Sequence, residues 1–139
     1  MLQRQLTTQL ALFYTLTKRK IKAKKINGKQ MRTSTIERIT NETKVNLVLD
    51  LDGVGRGKIK TDIPFFDHML EQLTFHSLVD LELNAQGDID IDFHHSVEDC
   101  GICLGKAFVE ALGDKKGINR YGFFLLPMDD ALIRIALDF

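Results

Sequence analysis

The stretch from Gly87 to Leu112 changes its hydrophobic period once, and that change limits the possible folds more than any other feature of the chain. Gly87-Asp88-Ile89-Asp90-Ile91-Asp92-Phe93 alternates acidic and apolar residues. A period of two predicts a half-buried strand. From Val97 to Leu112, Ile102, Cys103, Ala107, Phe108 and Ala111 or Leu112 recur at helical spacing, and Gly113 closes the run. Ser96, with Asp99 three residues on, reads as a capping box that starts this helix. His94 and His95 therefore fall where a strand hands over to a helix. Glu98 lies at i+4 from the first and i+3 from the second, so imidazole and carboxylate can share a face. This is the ligand chemistry of zinc, manganese and iron sites. Adjacent histidines point in different directions, which suits two metals, one per histidine. The competing reading is a capping motif with two surface histidines.

A second helix is expected from Asp62 or Ile63, where Pro64 suits the first turn, to His76. Phe65, Phe66, Met69, Leu70 and Leu73 make its apolar face. His68, Gln72 and His76 stack along another face at i, i+4 and i+8. Strands are expected at 32–40, at 43–51 and at 78–85, the last turning at Gln86-Gly87 into 88–93. The glycines of Asp52-Gly53-Val54-Gly55-Arg56-Gly57 lack the spacing of a phosphate-binding loop, so a hairpin loop returning into Lys58–Thr61 is expected. After Asp114-Lys115-Lys116-Gly117, a strand over 123–126 bends at 127–130 into another over 131–139.

The chain has 139 residues, a length that fits one domain, and 44% of them are hydrophobic. Nineteen basic residues balance nineteen acidic ones, but unevenly. Residues 1–30 carry eight basic residues and no acidic one, leaving a net of −8 on the rest. They read as a disordered basic extension preceding a domain over 31–139. The extension lacks the early charge of a signal peptide and the serines of a transit peptide. Few aromatics interleave its lysines, so a nucleic-acid-binding tail has only charge behind it. Cys100 and Cys103 read as buried thiols rather than a redox pair. No apolar run approaches the roughly 18 residues that span a membrane. A cytoplasmic protein with neither nucleic-acid nor membrane partners is expected, with organelle targeting by residues 1–30 left open.

Four stretches carry a family resemblance. Phe66-Asp67-His68-Met69-Leu70, His94-His95-Ser96-Val97-Glu98-Asp99, Gly117-Ile118-Asn119-Arg120-Tyr121-Gly122 and Pro127-Met128-Asp129 resemble, in order and spacing, the imidazoleglycerol-phosphate dehydratases of histidine biosynthesis. The resemblance runs from about Arg32 to Phe139. It implies an α+β fold, a βαββα-type half of a two-repeat α/β sandwich like domain 2 of ribosomal protein S5, with the second repeat truncated. It also implies a hydro-lyase that removes water from imidazole glycerol phosphate to give imidazole acetol phosphate. Two Mn2+ ions per site would bind the substrate imidazole and act as Lewis acids. Subunits would form a homo-oligomeric shell of twenty-four, with active sites between them.

Carried over by motif, His68, His94, His95 and Glu98 resemble metal ligands. Gln72, His76 and Arg120 resemble substrate-binding residues, with Arg120 on the phosphate. Glu42 and Asp129 resemble catalytic carboxylates. The family usually has glycine where this chain has Asp62. Its second half carries another His-His-x-x-Glu helix and a further histidine, which this chain lacks. The expectation is therefore a chain inactive alone, or a fragment of an active enzyme. The alternative is a truncated, non-catalytic metal-binding module.

Overall fold

The computed structural model describes residues 32–139, with the Met128 side chain aside. The basic extension expected over residues 1–30 lies outside the described residues. The described chain forms two compact units, one ending at Gly113 and one running from Asp114 to Phe139.

The first unit is an α+β layer. Its strands are β1 (Thr33–Ile39), β2 (Thr43–Asp50), β3 (Gly57–Lys60) and β4 (Asp80–Gly87); its helices are α1 (Pro64–Ser77) and α2 (His94–Leu112). The sheet order is β1-β2-β4-β3. β1 and β4 both pair antiparallel with β2, while β3 pairs parallel with β4. Alternation along the strands sets the core. Val45, Leu47 and Leu49 of β2 lie directly opposite Ala85, Leu83 and Leu81 of β4, and all six are almost completely buried. Each large side chain so buried contributes about 1.5–3 kcal/mol. Cys100, Cys103, Ala107 and Ala111 of α2 and Leu70 of α1 join the same cluster. Ser34 Oγ of β1 donates to the Ala107 carbonyl at 2.9 Å, pinning α2 to the edge strand. The intervening strand positions, including Glu37, Asn46, Glu82 and Asn84, are exposed.

Local chemistry explains the start of α1. Pro64 occupies the first turn, and Asp67 Oδ1 reaches back to accept from the Thr61 backbone N–H at 2.9 Å and the Thr61 hydroxyl at 2.6 Å. Asp62 adopts φ +61°, the left-handed region glycine enters without a Cβ clash.

Several expectations are corrected. The expected strand over 88–93 is a turn, closed by the Ile91 N–H donating to the Asp88 carbonyl at 2.8 Å. Its alternation came from carboxylates that bond locally. One strand, not two, therefore lies between the helices. The expected capping box does not form: α2 starts at His94, whose N–H donates to Asp92 Oδ1 at 2.6 Å. Ser96 is buried with no hydrogen-bond partner for its Oγ, and Asp99 turns to other partners. The segment after Gly57 does not return against β2 but crosses to pair with β4. Asp80 Oδ1 holds that crossing by accepting the Val54 and Arg56 N–H groups, each at 2.8 Å. Phe65, expected on the apolar face of α1, is 65% exposed.

The second unit is an antiparallel hairpin, β5 (Tyr121–Met128) and β6 (Ala131–Asp138). Asp129 sits in its turn with φ +48°. Arg120 forms an ion pair with Asp138 and lies 5.1 Å from the Tyr121 ring centroid.

Candidate metal and acid-base site

The first turn of α2 gathers the candidate donors. His94 Nε2 lies 3.0 Å from Glu98 Oε2, one helical turn on, and both side chains are more than half exposed. The expected i, i+4 pairing therefore forms. The His95 ring meets the His94 ring edge-on, centroids 5.7 Å apart and planes at 64°. His95 Nδ1 is 2.9 Å from Asp88 Oδ2, a residue of the turn that precedes the helix. That hydrogen bond, with the charges of Asp88, Glu42 and Asp92, raises the His95 pKa. Glu42 is exposed in the turn between β1 and β2, and its charge reaches His95.

Buried bonds behind this turn fix its position. Arg38, on the inward side of β1, donates from Nε to Asp99 Oδ1 at 2.7 Å. The Thr43 hydroxyl donates to Asp99 Oδ2, and Thr40 Oγ1 accepts the Thr43 N–H at 2.9 Å. Burial alone would raise the Asp99 carboxyl; the bonds from Thr43 and Arg38 outweigh it and hold the pKa below its ordinary value. One carboxylate thus ties the helix carrying His94, His95 and Glu98 to the turn carrying Glu42. The end of β4 closes in as well. A Cβ on Gly87 would stand 2.1 Å from Ser96 Oγ, so only glycine lets strand and helix approach this closely.

His68 and Gln72 lie half-buried on α1, and His76 is buried near its end. Burial lowers the His76 pKa, and its Nε2 has no hydrogen-bond partner. Its ring meets Phe75 edge-on, centroids 5.1 Å apart. Arg120 and Asp129 belong to the hairpin unit. Arg120 is engaged by Asp138, which raises its pKa.

The donor chemistry suits a first-row divalent ion, since an imidazole and a carboxylate converge at His94 and Glu98. Among the described residues, however, no three His, Cys, Asp or Glu side chains come close enough to hold a metal. His68 is therefore not gathered with the α2 donors into a closed site. Three contributors fell outside the sequence-based set. Asp88 was masked by the strand-like alternation. Arg38 and Asp99 meet only through folding, although the parity of β1, with Ser34 and Ile36 inward, points Arg38 to the helix side.

No helix among the described residues is long and apolar enough to cross a membrane. The family model described as imidazoleglycerol-phosphate dehydratase matches residues 61–139. The chain is 58% identical over 108 residues to an imidazoleglycerol-phosphate dehydratase of Cereibacter sphaeroides, covering 78% of this chain and 55% of that protein. It is 53% identical over 107 residues to one of Acinetobacter baumannii, covering 77% of this chain and 53% of that one. The crystal structure of imidazoleglycerol-phosphate dehydratase from Staphylococcus aureus superposes with a TM-score of 0.62 at 36% identity, covering 76% of this chain and 57% of that one. The chain spans about half the length of the curated relatives it matches.

Proposed function

The chain belongs to the imidazoleglycerol-phosphate dehydratase family, and on that premise we propose that it serves the dehydration of imidazole glycerol phosphate to imidazole acetol phosphate in histidine biosynthesis. The observation that carries this reading is the first turn of α2, where His94, His95 and Glu98 of the family motif sit together and His94 Nε2 lies 3.0 Å from Glu98 Oε2. In this reading His68, His94, His95 and Glu98 are donors to two manganese ions, with further donors supplied from outside the described residues, as in a homo-oligomer with shared sites. Bound manganese would supply Lewis acidity toward the substrate imidazole.

The chain's own groups do the rest. His76, whose pKa burial lowers, contacts substrate through its imidazole. Gln72, one turn before it, orients the same ligand. Glu42, an exposed carboxylate in the turn between β1 and β2, moves a proton at the substrate carbon chain. Arg120 binds the phosphate with its planar donor fork after exchanging Asp138 for it. Asp129 positions or relays a proton from the hairpin turn.

Among the described residues only His94 and Glu98 converge as donors, without a third His, Cys, Asp or Glu, which favours one second reading, a metal-binding module without turnover. A single assay separates the two: dehydration of imidazole glycerol phosphate by the full chain with Mn2+, beside a manganese titration. Turnover that falls at least 100-fold in His94→Ala supports the enzyme. Manganese binding lost in His94→Ala, without turnover in the parent chain, supports the module. Absence of both binding and turnover defeats both.

A further inference from the structure

We infer that Asp88 is a positioning residue that locks His95 in the Nδ1–H tautomer, leaving Nε2 as the ring's lone-pair donor. The inference deepens the metal-site reading above and rests on it for its consequence, though not for its geometry.

A neutral imidazole carries one N–H and one lone pair, and the partner of one nitrogen decides which nitrogen holds the proton. An ionised carboxylate can only accept. Asp88 Oδ2, 2.9 Å from His95 Nδ1, therefore requires the proton on Nδ1. The lone pair is then on Nε2, on the far side of a ring whose side chain is 43% exposed. Ligand histidines are commonly oriented in this way, by a carboxylate on the nitrogen that the metal does not use.

The alternative role for Asp88, a turn former, is weaker. The turn is closed by the Asp88 backbone carbonyl, and its carboxylate points instead at the histidine. The other carboxylate oxygen, Oδ1, is buried with no hydrogen-bond partner. A carboxylate held partly desolvated costs free energy unless its bonds compensate, so its bond to His95 is the one that accounts for its placement. His94 differs, because its Nε2 already faces Glu98. The two adjacent histidines are thus prepared differently: one is paired through Nε2 with a carboxylate on its own helix, the other is anchored through Nδ1 to the preceding turn.

The test is a long-range proton–nitrogen NMR spectrum of the 15N-labelled, metal-free full chain, at a pH well above the imidazole range. His95 is assigned from the signal lost in His95→Gln. The expected result is His95 as the Nδ1–H tautomer in the parent chain. In Asp88→Ala it should pass to the Nε2–H form that a free histidine side chain prefers, and Mn2+ affinity should fall about 10–100-fold. An Nε2–H tautomer in the parent chain overturns the inference, as does an unchanged tautomer in a folded Asp88→Ala. Should that variant not fold, the parent spectrum and Asp88→Asn decide it, the latter with a smaller shift in tautomer population. A tautomer shift in a chain that binds no manganese upholds the lock and defeats the metal reading instead.

Discussion

One oxygen of Asp80 accepts two backbone N–H groups, and the other accepts two donors of the Arg56 guanidinium at 3.0 and 2.8 Å. Burial raises the Asp80 carboxyl, but these four bonds outweigh it and bring the pKa down from 3.8 to about 2. A depressed carboxyl pKa adds stability above the unfolded value and loses it as pH falls toward the folded one. Asp80→Asn should therefore cost about 1–2 kcal/mol at neutral pH, after allowance for solvent screening. Urea titrations of both chains should show the difference shrinking as pH falls from about 4 toward 2. Gly87 supports a second prediction. Ser96 Oγ stands where a Cβ on Gly87 would go, and burying that extra carbon forces the serine aside at about 1–3 kcal/mol. Ser96 Oγ has no partner to lose, so Ser96→Ala alone should be close to neutral. Gly87→Ala with Ser96→Ala should recover much of the loss, a coupling that a double-mutant cycle in urea reads directly.

Helix α2 is held to β1 at two heights, by Ser34 on the Ala107 carbonyl and by Arg38 on Asp99. The second anchor is the stronger, because it is charged and mostly buried. Asp99→Ala leaves the Arg38 guanidinium and the Thr43 hydroxyl without their acceptor. It should cost about 2–4 kcal/mol in chemical denaturation, and Asp99→Asn less. Both helices were legible in the sequence, since Pro64, Gly113 and the apolar spacing around Leu70 and Ala107 mark them locally. β2 was legible through its alternation. The strand misread at 88–93 shows the limit of period. Asp88 and Asp92 alternate with Ile89 and Ile91, yet their carboxylates serve His95 and the His94 N–H. Period assigns a face and not a neighbour, so it did not reveal that β3 passes β2 to lie beside β4. The same limit applies to the site. His94–Glu98 follows from helical spacing alone, whereas Arg38–Asp99, sixty-one residues apart, exists only once β1 and α2 are packed.

The faces of the chain differ in chemistry. The open side of the sheet is polar, with Lys58 3.7 Å from Glu82. The outward positions of the helices include Phe65, Phe75 and Val109, and the hairpin carries Phe123, Leu125 and Leu132, all more than half exposed. Large exposed apolar groups mark association surfaces where they form a contiguous patch. Sedimentation of the full chain should show mass rising with concentration, and Phe75→Glu should shift that rise to higher concentration. Concentration-independent monomer mass would count against a homo-oligomer. The sheet order has a further effect during synthesis. β4 leaves the ribosome after β2 and β3, yet it lies between them. β2 ends at Asp50 and β4 at Gly87, so at about 5–20 residues per second the row Val45, Leu47, Leu49 waits about 2–7 s for its second neighbour. For that interval the nascent chain presents an apolar strand with one edge unpaired, and its escape from aggregation depends on translation rate and chaperone occupancy rather than on the stability of the finished sheet.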